Sequence, residues 1–127
     1  DRVILTGYLP YREVHELLNI AKIVVLPYVY SASASGPLSL ALQHYKPIVA
    51  TSTEFFKCEL ENGKEAILVP PKNTEKLAEA IVTLIENKRF AEKLTHNLKM
   101  KAQDKSWGKV AEMTLRVYQL IHNACSR

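Results

Sequence analysis

The fold is decided by the stretch VVLPYVYSASASGPLSLAL at residues 24–42. A run of β-branched and apolar residues predicts a strand that ends at Pro27. A loop of small residues then leads into an apolar helix that opens at Gly36 and Pro37. Small side chains let a backbone come close to a ligand, and a helix N-terminus offers free N–H groups and a partial positive charge to an anion. The segment is equally typical of a phosphate-binding α/β site and of a surface loop that binds nothing.

The predicted anion site has both backbone and hydroxyl donors. We expect a bound diphosphate or sulfate to contact the backbone N–H groups of residues 35–38. Ser33, Ser35 and Ser39 place hydroxyls nearby, and these hydroxyls either bind phosphate oxygens or cap the helix. The sequence leaves both roles open.

Length and composition indicate one ordinary globular domain at most. The chain has 127 residues, of which 47% are hydrophobic and 24% charged. No apolar run approaches the ~20 residues of a membrane span, and we expect no signal peptide. Because the chain begins with Asp1 and not with Met, we expect it to be excised from something longer. Cys58 and Cys125 lack CxxC or zinc spacing, which predicts two reduced thiols in a cytoplasmic protein.

The net charge of +4 lies in the second half of the chain. Residues 1–60 carry five Lys or Arg and five Asp or Glu, whereas residues 61–127 carry twelve and eight. A basic helical face is usually just solvated, and it can also bind an anionic membrane surface. Only Phe90 and Trp107 are aromatic among these cations, and we expect no nucleic-acid binding. The excess lies at Lys88, Arg89, Lys93, Lys99, Lys101, Lys105 and Lys109.

Four short apolar runs predict buried strands at Val3–Thr6, Ile23–Leu26, Pro47–Thr51 and Ala66–Val69. They are continuous and not alternating, as in a parallel sheet covered on both faces. Helical patterns lie between them, so residues 1–71 alternate strand and helix, and residues 72–127 are helical. The fold class predicted is therefore α/β, with a doubly wound, mostly parallel sheet.

Helical periodicity and capping residues place the predicted helices. An apolar stripe predicts the first helix, and a short helix is expected around Glu54–Leu60. Asn73 and Ser106 are predicted N-caps of helices in the second half. The first stripe comprises Val14, Leu17, Leu18 and Ala21, and that of the last helix comprises Trp107, Val110, Ala111, Thr114, Val117, Tyr118 and Ile121.

The sequence offers a binding site without evident catalytic machinery. His15 lies off the apolar stripe of its helix and is expected to be exposed, and His44 ends a helix where a cation suits the dipole. His96 and His122 fall on polar helix faces, and all four are interpreted as structural. No grouping has metal-ligand spacing, and no nucleophile elbow, P-loop or G-x-G-x-x-G motif is present. No catalytic residue is therefore assigned, and no metal is expected.

Six short segments form a series along the chain. They are LTGYLP at residues 5–10, LLNIAKIVVLP at 17–27, KPIVAT at 46–51, residues 59–70 with their Asn62-Gly63 pair, Asn73 followed by Leu77 and Ala80-Ile81, and Ser106-Trp107. Together they resemble the C-terminal half of GT-B glycosyltransferases of the family-4 type, the glycosyl transferases group 1. The series covers nearly the whole chain in the family's order and spacing. Each piece is weak alone, and the series is fairly specific.

The resemblance implies a partial donor-binding domain, spanning residues 1–127, that holds a nucleotide-sugar. The donor diphosphate would lie at Ser33, Ser35, Gly36, Pro37 and Leu38. Gly7 and Tyr8 would lie near the nucleotide. The nucleotide-sugar is the substrate, so no further cofactor is implied. The implied partner is the N-terminal, acceptor-binding domain of the same parent chain.

Two departures from the family pattern bear on activity. The family's E-x7-E carboxylates, which contact the donor sugar and the ribose, align with Ala32 and Leu40. The family's small A-x-G before the next strand is Gln43-His44-Tyr45 here. These changes predict a donor geometry that differs from the family's.

The family strand order 3-2-1-4-5-6 implies that part of the sheet is missing. Val3–Thr6 would be strand 3 and Ile23–Leu26 strand 4, while strands 2 and 1, with the Arg/Lys pair that neutralises the diphosphate, are absent. The domain would be incomplete on its N-terminal side, and its open edges would favour self-association.

Three functions are compatible with these observations. The first is a fragment of a retaining glycosyltransferase, a hexosyltransferase in type, inactive by itself, whose parent transfers a sugar from a nucleotide-diphosphate donor to a glycan, lipid or small acceptor. The second is a diverged, non-catalytic GT-B-like binding or scaffold module. The third, a flavodoxin-like or response-regulator-like domain, lacks the acidic cluster of such receivers.

Overall fold

A computed structural model describes residues 3–30, 33–104 and 106–125. Three strands alternate with three helices, and three further helices complete the described part of the chain. In order, the elements are α1 (Tyr11–Ile20), β1 (Val24–Leu26), α2 (Gly36–Gln43), β2 (Ile48–Thr51), α3 (Glu54–Glu59), β3 (Ile67–Val69), α4 (Thr74–Glu86), α5 (Lys88–Asp104) and α6 (Trp107–Cys125).

The three strands form a parallel sheet in the order β1-β2-β3. Val24 pairs with Ile48 across the first ladder, and Thr51 pairs with Val69 across the second. The sheet is therefore parallel, as the continuous apolar runs predicted. Its order is also that of strands 4, 5 and 6 in the family topology.

The predicted strand at Val3–Thr6 is wrong. These residues have no regular structure, and their apolar side chains are exposed, with 87% of Val3 and 93% of Leu5 accessible to solvent. A strand needs a neighbour whose N–H and C=O groups it can pair with. In the family order its neighbour would be strand 2, and the described residues contain no strand corresponding to it. The apolar run therefore has nothing to pair with in this chain.

The core lies on both faces of the sheet, because consecutive side chains of a strand point in opposite directions. Ile48 and Ala50 pack on one face with Leu38, Phe56 and other buried residues. Val49, between them, packs on the other face with residues of α4 and α5. Helices thus cover both faces, and the predicted doubly wound α/β class is confirmed.

Side-chain caps begin the helices where the sequence predicted them. The Asn73 side chain accepts a hydrogen bond from the backbone N–H of Lys76 at 2.9 Å, which starts α4. The Thr53 side chain starts α3, the short helix expected around Glu54–Leu60. Helix α6 follows Ser106 as predicted, but the side chains of residues 106–124 are all exposed. Its apolar stripe therefore has no partner within the described part of the chain.

Candidate functional site

The carboxyl ends of the three parallel strands meet at one edge of the sheet. The loop after β1 is fixed to this edge because the Thr51 hydroxyl, at the end of β2, donates a hydrogen bond to the carbonyl oxygen of Tyr28 at 2.6 Å. The Tyr28 ring packs against buried Phe56, with 5.1 Å between the ring centroids. The loop then leads to the N-terminus of α2. In open α/β sheets this edge is where ligands bind.

Ser35 is the N-cap of α2. Its Oγ accepts a hydrogen bond from the Leu38 N–H at 3.1 Å and lies 3.0 Å from the Tyr28 hydroxyl. The Ser39 hydroxyl donates to the Ser35 carbonyl oxygen at 3.3 Å. Ser35 is also buried. In this structure the hydroxyls of Ser35 and Ser39 therefore serve the helix, which was one of the two roles left open by the sequence.

The first turn of α2 leaves few backbone donors for a ligand. Pro37 has no N–H, and the Leu38 N–H is bonded to Ser35. In the part of the chain that the structure describes, the N–H groups of Ser35 and Gly36 have no acceptor. A Cβ added at Gly36 would meet no atom within 4 Å, so the space in front of this turn is open. The backbone N–H groups available to a ligand at the start of α2 are therefore those of residues 35 and 36.

The other predicted site residues are placed as follows. Ser33 and Pro37 are exposed, whereas the Leu38 side chain is buried in the core. Gly7 adopts a φ of +63°, and Tyr8 beside it is 96% exposed. Among the described residues, no hydrogen bond joins the Gly7–Tyr8 segment to the loop before α2. Ala32, one of the two positions of the missing carboxylates, lies outside the described residues, and Leu40 is half-buried on α2.

Lys72 and Tyr30 lie at this edge of the sheet, and sequence reasoning did not find them. Lys72 follows β3, and its Nζ lies 5.9 Å from the centroid of the Tyr30 ring, which belongs to the loop after β1. Lys72 has a φ of +62°, a left-handed conformation uncommon for a residue with a Cβ. The pair of prolines directly before it, Pro70 and Pro71, was the sequence signal for a fixed turn here. Lys72 thus adds an exposed cation to this edge of the sheet.

Two expectations about histidines are wrong. His15 is half-buried and not exposed, because its Nδ1 bonds to the Nε2 of His44. His44 does lie at the C-terminal end of α2. However, burial, with help from the charges of His15 and Lys46, lowers its pKa below the ordinary value. Desolvation and neighbouring cations thus outweigh the attraction between a charged imidazole and the helix dipole. His96 and His122 are both exposed.

The described residues contain no group of three or more His, Cys, Asp or Glu side chains placed to hold a metal ion. Cys58 is an exposed free thiol. Within the same residues, no helix combines the length and the apolar character that a bilayer crossing requires.

Two solved structures share this architecture. Sucrose-phosphate synthase from Thermosynechococcus elongatus superposes with a TM-score of 0.80 at 21% identity, over 97% of this chain and 31% of that chain. The HepE protein of Anabaena, solved in complex with UDP, superposes with a TM-score of 0.71 at 18% identity, over 85% of this chain and 29% of that chain. At such identities the likeness concerns the fold, which is that of a GT-B Rossmann-like domain.

Sequence comparison gives the family. An alpha-D-kanosaminyltransferase from Streptomyces kanamyceticus is 27% identical over 97 residues, which is 76% of this chain and 25% of that protein. The chain therefore spans about a quarter of the length of this curated relative. The family model described as glycosyl transferases group 1 matches residues 1–87, more than half of the chain. On this match, and with the fold and the helix N-terminus at the carboxyl edge of its sheet in agreement, the chain belongs to the glycosyl transferases group 1 family.

Proposed function

We propose that this chain is the nucleotide-sugar-binding part of a retaining glycosyltransferase of the hexosyltransferase type. The whole protein transfers a sugar from a nucleoside-diphosphate donor to a glycan, lipid or small acceptor. The nucleotide-sugar is the substrate, and no separate cofactor is required. Family membership supports glycosyl transfer, and the UDP held by a protein of the same fold supports a nucleotide ligand.

The observation that carries this proposal is the open N-terminus of α2 at the carboxyl edge of the sheet. The N–H groups of residues 35 and 36 point out of a helix whose dipole favours an anion. Gly36 leaves room for a phosphate to approach, since an added Cβ would meet nothing within 4 Å. Lys72, exposed at the same edge, provides a positive charge to a diphosphate. Gly7 and Tyr8 are proposed to lie near the nucleotide.

A second domain is required for turnover. The chain has no assigned catalytic base, and its match to a quarter of a curated relative supports a larger parent. Apolar residues are exposed at Val3–Leu5 and along α6, where 89% of Trp107 is accessible. An acceptor-binding domain could cover this area. Without that cover, we expect residues 1–127 to self-associate and to transfer no sugar. Sedimentation of residues 1–127 and an assay with a panel of donors test both statements, and a stable monomer with turnover would refute them.

The proposed location is the cytoplasm, with contact to an anionic membrane surface through the cations of α5 and α6. Residues 88–125 carry eight Lys or Arg against three Asp or Glu, which is an excess of positive charge. A nucleic-acid partner is not proposed.

A non-catalytic binding module is the second candidate. It is supported by Leu40, an apolar, half-buried residue where the family resemblance implies a carboxylate. A leucine side chain has no group that can accept a hydrogen bond from a sugar or ribose hydroxyl. Nucleotide binding by the full-length protein without turnover of any donor would favour this candidate.

The binding proposal is tested with Gly36→Val in the full-length protein. Valine would place a branched side chain in front of the helix start, so affinity for UDP and other nucleoside diphosphates should fall at least about tenfold, or about 1.4 kcal/mol. Gly108→Val is the matched control, since Gly108 also lies in the first turn of a helix with open space around its Cα. Calorimetric titration measures both. Equal affinities in the two variants, with both folded by circular dichroism, would place the diphosphate elsewhere.

A further inference from the structure

A basic cavity of about 730 Å³ lies at the opposite edge of the sheet from the proposed donor site. It is formed where the chain enters β1 and β2, against α4 and α5. Its volume is in the range of sites that bind small organic molecules. The walls combine an apolar floor with a cationic rim. The floor includes Ala21, Ile23, Pro47, Leu84, Ile85 and Ala91.

The rim of this cavity is strongly positive. Four lysines, Lys22, Lys46, Lys88 and Lys99, line it together with one carboxylate, Glu92. Lys46 donates a hydrogen bond to the carbonyl oxygen of Asn19 in α1 at 2.8 Å, and among the described residues it has no carboxylate partner. Among the described residues, Lys22 and Lys88 have no ion-pair partner. The cavity therefore concentrates cations that are free to pair with an anionic ligand.

Tyr45 is held at this cavity in an unfavourable backbone conformation. Its φ is +50°. It lies just after α2, where its own N–H bonds to the Leu42 carbonyl oxygen at 3.2 Å. The next N–H, of Lys46, bonds to the Ala41 carbonyl oxygen, also at 3.2 Å. Glycine is the usual residue at this position of a helix end, since a Cβ is strained there. The strain brings an aromatic ring to the cavity wall, with Lys99 Nζ 6.0 Å from the ring centroid. Non-glycine residues in such conformations are frequent at binding sites.

We infer that this cavity binds a soluble organic phosphate in which a phosphate group is joined to an apolar ring or short chain. The lysines would pair with the phosphate oxygens. The apolar floor and the Tyr45 ring would cover the organic part. Such a ligand is smaller than a lipid, and its binding is separate from that of the donor, because the two sites lie at opposite ends of the strands.

Phenyl phosphate is the probe, titrated calorimetrically into the full-length protein. We expect binding that weakens with salt, and affinities for inorganic phosphate and for phenol that are each at least about tenfold lower. Saturating UDP and the Gly36→Val variant should leave the phenyl phosphate affinity unchanged, so the result does not depend on the proposed function. Competition by UDP, or equal affinity for inorganic phosphate, would overturn the inference.

The lysines are tested by Lys88→Gln combined with Lys99→Gln, which should lower phenyl phosphate affinity about tenfold or more. Lys93→Gln is the control, because Lys93 lies on the same helix but does not line the cavity. Binding to vesicles that contain phosphatidic acid, without binding of phenyl phosphate, would also refute the assignment. It would show that the cations contact a membrane surface.

Tyr45→Gly separates a ligand role from a structural one. Glycine relieves the strained backbone, so the melting temperature should rise or stay the same. Loss of the ring should at the same time lower phenyl phosphate affinity several-fold. If the variant is more stable but binds phenyl phosphate as tightly as the original protein, Tyr45 has no role in binding. The proposal that the ligand has an apolar part would then be contradicted as well.

Discussion

His15 Nδ1 lies 2.6 Å from His44 Nε2 and joins α1 to the C-terminal end of α2. On the far side of its ring, His44 Nδ1 lies 2.9 Å from Asn19 Oδ1, an acceptor, so Nδ1 carries the proton. The neutral His44 ring therefore accepts through Nε2, and His15 donates through Nδ1. His15 Nε2 is then an acceptor that is buried without a partner among the described residues. The arrangement favours a neutral His44 ring, in agreement with its lowered pKa.

We expect stability to fall on acidification because of His44. The folded-state pKa of His44 is lowered from 6.5, mainly by burial and then by the charges of His15 and Lys46. Between that lowered pKa and 6.5 the unfolded chain binds more protons than the folded chain, so stability rises with pH across this window. The stability gained in this way is fully present above pH 6.5, the ordinary pKa of histidine. Melting temperatures measured from pH 7.5 to 5 test the direction.

His44→Gln should flatten this pH dependence, since glutamine does not titrate. His96→Gln, on the exposed face of α5, is the control and should leave the slope as it was. If the slope is the same in His44→Gln, His44 does not cause it.

Leu98→Ala should destabilise residues 1–127 by about 2–5 kcal/mol. Leu98 on α5 is fully buried in the cluster beneath β2, so the change leaves a cavity. Leu120→Ala is the matched change on α6, where 69% of the side chain is accessible. It should alter stability by no more than about 0.5 kcal/mol. Urea unfolding measures both at a protein concentration low enough to suppress self-association, and a large effect of Leu120→Ala under that condition would show that α6 packs on something within these residues.

Lys101→Met should destabilise the protein by about 1–2 kcal/mol, between the values for exposed and buried ion pairs. Lys101 Nζ lies 2.6 Å from Glu65 Oε2, and the two side chains are 21% and 12% exposed. The same carboxylate oxygen accepts the Glu61 N–H at 2.9 Å, so Glu65 orders the turn before β3. Chemical denaturation gives the difference. Lys64→Met breaks an exposed pair with Glu61 and should have no measurable effect; equal losses from both variants would be inconsistent with this account.

Ser35→Ala should cost about 1 kcal/mol, the usual value of a lost N-cap. The change removes the acceptor of the Leu38 N–H and the partner of the Tyr28 hydroxyl. It also frees the Leu38 N–H at the proposed anion site. Thermal unfolding should show the loss, whereas Ser39→Ala, which only removes a donor to the Ser35 carbonyl, should have a smaller effect. Equal melting temperatures of Ser35→Ala and the original protein would mean that water replaces the cap.

The sequence predicted those parts of the fold that local patterns determine. Continuous apolar runs identified β1, β2 and β3, and the predicted caps Asn73 and Ser106 each accept a backbone N–H at a helix start. The run at Val3–Thr6 has an equally apolar pattern, but strand formation also depends on a neighbouring strand. No local pattern contains that information.

The site was predicted less completely because its features depend on contacts between distant segments. The loop and helix at residues 24–42 were identified from their residue types. The approach of Lys72 to Tyr30 depends on the order of the strands, and the half-burial of His15 depends on the packing of α1 against His44. Both pairs are separated by more than 25 residues in the chain.

Helix α2 is fixed at both ends, by Ser35 at its start and by the turn at Tyr45 after its end. One residue advances a helix by about 100° around its axis. An inserted or deleted residue within α2 would therefore rotate the two ends of the helix relative to each other. Either Leu38 would turn away from the core, or His44 would move away from His15. The length of this segment is consequently fixed, and variation among related chains should occur as substitutions within α2 and as length changes only in the loop before it.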